Sequence, residues 1–194
     1  MRMEIVSLFL FFLACGTSQG RPLLESKLYR KSTIQKVLHH ESTVAASAEE
    51  VWQVYSSPEL PKHLSELLPG AFEKVEIFGD GGVGTILEMV FPPGEIPQSY
   101  KEKFVLIDDE RRLKKVEMIE GGYLDMGVTF YMDTIHIVAT GCNSCIIKSS
   151  TEYYVKPEFA DKVQPLITTA PLEAMDEAIT KIVLANKNKS LIEI

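Results

Sequence analysis

The chain has 194 residues, enough for one domain with a sizeable core. Its net charge of −7, with acidic and basic residues interspersed, leaves no basic stripe of the kind that grips nucleic acid, so no nucleic-acid partner is expected. Three cysteines exclude a disulfide-built scaffold; Cys15 lies in a leader-like segment, and at most one short local bridge can join Cys142 and Cys145.

The first twenty residues have the layout of a secretory signal peptide. Arg2 supplies the positive start, residues 5–14 a short apolar run, and Gly16, Ser18 and Gly20 the small residues of a cleavage region. The run is too short to span a bilayer, and no second long apolar stretch follows. The expectation is a secretory-pathway protein of the endoplasmic reticulum or vacuole, with no stable membrane insertion after cleavage. Residues 1–20 would be the signal, 21–31 an extension, 32–187 one domain and 188–194 a tail. Asn188-Lys189-Ser190 is a glycosylation sequon that matters only on that route.

Residues 36–47 read as a strand that runs into a capping box, with Ser47 and Glu50 at the S-x-x-E spacing ahead of Val51, Trp52, Val54 and Tyr55. Pro58 and Pro61 end that short helix, and a second short helix is expected over 64–68. From 72 to 154 the pattern is strands separated by tight turns, punctuated at 79–82, 108–110, 121–122 and 141–144. From Glu158 apolar residues recur at three- and four-residue steps, from Phe159 and Val163 to Ile179, Ile182 and Val183. That predicts one long amphipathic helix, kinked by Pro165 and Pro171. The fold class is therefore α+β. A curved antiparallel sheet of about seven strands wraps around the long C-terminal helix, with two short helices and an internal cavity.

Gly79-Asp80-Gly81-Gly82-Val83-Gly84 matches G-x-G-x-x-G, yet the β-branched run Thr85-Ile86-Leu87 follows where a dinucleotide site needs a helix. No lysine follows Gly84, so a phosphate-binding Walker loop fails too. The segment reads as a glycine-rich hairpin loop. Cys142-Asn143-Ser144-Cys145 has redox spacing but sits in a turn, without the helix N-terminus that activates such pairs. His39 and His40 point to opposite faces of their strand, and His63 and His136 have no ligand-spaced partner, so no metal site is supported.

The element order and glycine loop resemble the birch-pollen-allergen superfamily of plant pathogenesis-related and ligand-binding proteins. Within it the chain is similar to the norcoclaurine synthases. The stretches that carry this are Leu67-Leu68-Pro69-Gly70-Ala71-Phe72-Glu73-Lys74, Tyr100-Lys101-Glu102-Lys103-Phe104, Arg112-Leu113-Lys114-Lys115, Met118-Ile119-Glu120-Gly121-Gly122-Tyr123-Leu124-Asp125 and Tyr131-Met132-Asp133-Thr134-Ile135-His136. The resemblance implies a Pictet–Spengler condensation of dopamine with 4-hydroxyphenylacetaldehyde, giving (S)-norcoclaurine and water in benzylisoquinoline alkaloid biosynthesis. It also implies a lyase-class enzyme without metal or cofactor. It carries the catalytic set onto Tyr100, Glu102, Lys114 and Asp133, and some of Leu68, Ala71, Phe72, Met89, Phe91, Phe104 and Ile135 onto a pocket for the aromatic rings. A homodimer is compatible with it.

The residues make chemical sense of those roles. Tyr100, Glu102 and Phe104 alternate and share one strand face, with Lys101 and Lys103 opposite. If 108–110 is a three-residue loop, Phe104 faces Lys114 and Glu102 lies diagonal to it, about 7–8 Å away at the backbone. Asp133 shares a face with Tyr131 and Ile135, and periodicity leaves open which face points inward. A lysine in an apolar pocket has a lowered pKa and can exchange protons near neutrality. Glu102 suits the base that takes the ring proton, while Tyr100 and Asp133 orient substrate and stabilise the cationic intermediate. The competing reading is a non-catalytic carrier of a hydrophobic plant metabolite or hormone in the same fold, which has no need of Lys114. A nuclease finds neither a histidine pair nor a basic groove.

Overall fold

A computed structural model describes residues 33–192, with the side chains from 189 onward outside the description. The expected signal peptide and N-terminal extension lie outside the described residues. Strand β1 (Ile34–Val44) leads into helix α1 (Ala48–Tyr55), a 3-10 turn (Leu60–His63) and helix α2 (Leu64–Leu67). Six strands follow: β2 (Lys74–Phe78), β3 (Ile86–Val90), β4 (Ser99–Asp108), β5 (Leu113–Gly121), β6 (Val128–Gly141) and β7 (Ser144–Val155). Helix α3 (Pro157–Val163), a 3-10 turn (Gln164–Leu166) and helix α4 (Ala170–Ile192) complete the order. All strand pairs are antiparallel in one sheet of order β1-β7-β6-β5-β4-β3-β2. Among the described residues no helix is long and apolar enough to cross a membrane.

Local chemistry sets the ends of these elements. At α1 both halves of the capping box form: the Glu50 N–H donates to Ser47 Oγ (3.2 Å) and the Ser47 N–H donates to Glu50 Oε2 (2.7 Å). Such a cap contributes about 1 kcal/mol. The glycine loop joins β2 to β3, with no helix behind it. Gly81, at φ +89°, passes so close to Pro58 that a Cβ there would lie 2.1 Å from the Pro58 carbonyl oxygen. The loop thus holds the α1–α2 connection, and its glycine serves packing rather than phosphate. Cys142 is exposed, Cys145 is buried, and both are free, so the local bridge does not form.

The single kinked helix expected from residue 158 is instead two helices. Pro165 sits in the 3-10 turn, and Ile167 takes an extended conformation that ends it. Pro171 is the second residue of α4, where its missing N–H breaks no helical bond. Helix α4 runs on to Ile192, through positions 188–192 set apart as a tail.

Buried apolar side chains form three clusters rather than one. One joins α1, α4 and the β6–β7 region through Trp52, Ile137, Ile147 and Ile179; a second gathers Tyr131, Tyr153 and Val163; a third joins Leu64, Leu87, Phe104 and Val116. A curved sheet closed by helices at its ends leaves space between such clusters, and that space is the cavity.

Candidate active site

The cavity encloses about 450 Å³. Tyr100, Glu102, Lys114 and Asp133 all line it, as do Leu68, Ala71, Phe72, Met89, Phe91, Phe104 and Ile135. Sheet register explains how the polar four converge. The β4–β5 turn is longer than the three-residue loop expected at 108–110. Asp108 pairs with Leu113, and Arg112 adopts a left-handed φ of 51°. Continued regularly, that register would turn Glu102 and Phe104 away from the face that carries Lys114. A bulge at Val105 restores the parity: Ile107 pairs with Lys114, Leu106 with Lys115, and Phe104 then pairs with Val116. Phe104 therefore does not face Lys114, and Glu102 lies opposite Met118 rather than diagonal to Lys114. The inner face is as expected; the spacing along it is wider. On the far side of β5, Lys114 pairs with Ile135 and Val116 with Asp133, which settles that Asp133 and Ile135 point inward.

Each charged group sits where charge is costly. Lys114 is 4% exposed. Its Nζ lies 3.9 Å from the Phe104 ring centroid and donates to the Tyr55 carbonyl oxygen at 3.2 Å. Burial lowers its pKa to about 8, with Glu102 pulling the other way. Burial likewise raises Glu102 to about 8, helped by Asp133 and opposed by Lys114. Asp133 is raised by burial to about 7, held back by the Thr151 hydroxyl, which donates to its Oδ1 at 2.5 Å. Burial, then Glu102, pushes the Tyr100 phenol well above its ordinary value, so it stays a neutral donor. Two acids and one base thus sit near the midpoint of titration at neutral to mildly alkaline pH, inside an apolar shell. The arrangement can move protons in both directions.

Aromatic rings form the walls. Phe72 meets Phe91 at 5.5 Å between centroids, and Phe91 meets Tyr100 at 5.4 Å. Tyr123 stacks on Tyr131 at 5.7 Å. Flat aromatic substrates fit between such walls.

The sequence reading missed several lining residues, among them Tyr55, Tyr123, Tyr131, Met175 and Asp176. One had a legible signal: Asp176 interrupts an apolar stripe of Leu172, Ile179 and Val183. Tyr55 looked like ordinary core at the end of a short helix.

The family model described as "Pathogenesis-related protein Bet v 1 family" matches residues 33–186. An S-norcoclaurine synthase of Thalictrum flavum subsp. glaucum is 62% identical over 98% of this chain and 94% of its own length. S-norcoclaurine synthase 2 of Coptis japonica is 56% identical over 98% of this chain and 99% of its own. An X-ray structure of the Thalictrum flavum norcoclaurine synthase in complex with dopamine and hydroxybenzaldehyde superposes with a TM-score of 0.79, at 62% identity, covering 92% of this chain and 98% of that one.

Proposed function

The chain belongs to the pathogenesis-related protein Bet v 1 family, and we propose that it is an enzyme condensing dopamine with 4-hydroxyphenylacetaldehyde to (S)-norcoclaurine and water. The observation that carries the proposal is the trio Glu102, Lys114 and Asp133 lining one apolar cavity, each perturbed toward neutral pH. A carrier of hydrophobic metabolites has no use for three costly buried charges. Relatives named for this reaction, one of them crystallised with dopamine and an aldehyde, support the choice of substrates.

The chemistry follows from those groups. The amine must be neutral to attack the aldehyde, and a carboxylate of Glu102 or Asp133 can take its proton. The resulting carbinolamine loses hydroxide as water when Lys114, in its ammonium form, supplies a proton. The iminium is a cation inside an apolar cavity. Its field favours the ionised forms of Glu102 and Asp133, which stabilise it in turn. The catechol ring attacks the iminium carbon, the new C–C bond closes the ring, and Glu102 takes the proton the ring sheds. Tyr100, a neutral donor, orients the substrate hydroxyls. No metal or cofactor enters the balance. The reaction is a lyase-class step of alkaloid biosynthesis.

The test is chiral chromatography of the product formed by residues 21–194 from the two substrates, beside a Lys114→Ala sample. A strong excess of the S product that collapses in the variant is expected, with kcat down by about 100-fold or more. Racemate at the background rate from folded protein would leave the carrier as the better account. The leader-like residues 1–20 support delivery to the secretory pathway, the endoplasmic reticulum or vacuole. A fluorescent fusion lacking them is expected to stay in the cytosol.

A further inference from the structure

Lys114 approaches the end of a helix whose own sequence supplies no cation. The last turn of α1 contains no basic residue. The closing backbone bonds run from Ser56 N–H to the Trp52 carbonyl and from Ser57 N–H to the Val54 carbonyl, which leaves the Tyr55 carbonyl oxygen to Lys114. Terminal helix carbonyls lack intrahelical partners and carry the negative end of the helix dipole, so they favour a cation. Position of the Lys114 nitrogen therefore depends on where Tyr55 is held.

Tyr55 is held by a second cluster of polar groups, distinct from the Glu102, Lys114 and Asp133 trio. Its hydroxyl donates to Asp176 Oδ1 on α4. Asp176 is 1% exposed, and the Ser149 hydroxyl from β7 also donates to it, at 3.2 Å to Oδ2. His40 from β1 lies 3.7 Å from the same oxygen, with its other ring nitrogen 3.4 Å from Glu173. The cluster thus ties β1, β7, α1 and α4 together at one buried carboxylate. Burial and Glu102 govern the Lys114 titration.

We propose that Asp176 and the Tyr55 hydroxyl are positioning residues for the reaction: they pin the C-terminus of α1 so that the Tyr55 carbonyl fixes the Lys114 amine for proton transfer. With one N–H committed to that carbonyl, the remaining positions on nitrogen, proton or lone pair, are restricted in direction. Asp176 also lines the cavity, but the Tyr55 and Ser149 hydroxyls occupy its oxygens, so the pin is expected to act on turnover more than on binding.

This rests on the proposed condensation, and the test separates the two. Tyr55→Phe, Asp176→Ala and Asp176→Asn are assayed for kcat and for KM of each substrate, and Tyr55→Phe is also built on Lys114→Ala. Tyr55→Phe and Asp176→Ala should lower kcat about tenfold with both KM values within about twofold. Asp176→Asn, which keeps an oxygen to accept from Tyr55, should retain most of the rate. On the Lys114→Ala background, Tyr55→Phe should change nothing further. Wild-type kcat in Tyr55→Phe, or a loss of the same size without Lys114, overturns the proposal. If Asp176→Ala does not fold, Tyr55→Phe carries the test alone. A readout independent of turnover is the titration of the Lys114 amine by NMR in ¹⁵N-lysine-labelled protein. Glu102 on β4 and Asp133 on β6 keep their partners in Tyr55→Phe, while Asp176 on α4 loses a donor that holds its pKa down. Asp176→Asn, which removes that charge and keeps an acceptor for Tyr55, is therefore titrated beside it, and a fall of about half a unit or more in the Lys114 midpoint beyond that in Asp176→Asn reports the lost carbonyl contact. An unmoved midpoint overturns the proposal. A moved midpoint in a protein that makes only racemate would leave the positioning standing and remove the condensation.

Discussion

Glu102 and Asp176 are both buried carboxylates raised by desolvation, yet their surroundings differ in kind. Asp176 accepts from the Tyr55 and Ser149 hydroxyls and has His40 beside it; these partners hold its pKa down against burial. Among the described residues no protein group donates a hydrogen bond to Glu102. Its neighbours are the Asp133 carboxyl, which opposes its charge, and Lys114, which favours it. A carboxylate with donors on its oxygens is a structural tie, because its charge is already answered. One that faces an apolar cavity without donors is kept ready to exchange a proton and to answer a charge that arrives with substrate. Burial alone does not distinguish the two roles; hydrogen-bond satisfaction does.

The comparison breaks if the two residues respond alike to substitution. Glu102→Gln, nearly isosteric and unable to ionise, is expected to lower kcat by about 100-fold or more while the protein stays folded. Activity within a few-fold of wild type would remove Glu102 as the ring base. Asp176→Ala strands the Tyr55 hydroxyl without its acceptor, and its expected stability cost is about 2–3 kcal/mol. Urea titration measures this at unchanged m, and an unchanged midpoint would mean water answers the cluster as well as Asp176 does.

Linkage sharpens the contrast further. Glu102 has a native pKa of about 8, above its ordinary value of 4.5, so the native state holds the proton longer than the unfolded chain does. Below about pH 4.5 both states are protonated and the residue costs nothing. Between about pH 4.5 and 8 the unfolded chain gives up this proton while the native state keeps it, so stability falls across that window and levels off once the native acid ionises. Glu102→Gln should therefore match wild type near pH 4 and exceed it at pH 8, by on the order of 1–3 kcal/mol. Lys114 is charged in both states across most of that window, so it obscures little. Equal stabilities at pH 8 would mean that Glu102 is solvated through the cavity mouth.

Much of this was legible in the sequence, and the failures have physical reasons. The capping box at Ser47 and the strand after Gly84 gave α1 and the hairpin loop directly, because those signals act within a few residues. Period-two alternation placed Tyr100, Glu102 and Phe104 on one face correctly. The register across the β4–β5 turn was misjudged, since turn length and the Val105 bulge compensate each other and neither leaves a mark in periodicity. The break between α3 and α4 was read as a kink because apolar spacing continues across it while the backbone does not. The candidate catalytic set came from resemblance; a lysine in an Arg- and Lys-rich hairpin looks like solvated surface until the sheet curls over it. Tyr55 escaped because its contribution at the site is a main-chain oxygen, which no side-chain pattern can announce.

The smallest expected effect tests where Asp133 falls between the two kinds of carboxylate. Among the described residues it has one donor, the Thr151 hydroxyl at 2.5 Å, and it otherwise faces the cavity. That hydroxyl lowers its pKa against burial, leaving it at about 7. Thr151→Val keeps the volume and removes the donor, so Asp133 should retain its proton to higher pH. One hydrogen bond to a charged group, worth about 1.5 kcal/mol, corresponds to a rise of about one unit. The acid limb of the kcat profile should move upward by about that much, with KM little changed. Glu102 should follow weakly in the opposite sense, because a neutral Asp133 no longer opposes its ionisation. A limb that stays in place would assign it to Glu102 or Lys114, and would make Asp133 a tie of the Asp176 kind rather than a participant in proton transfer.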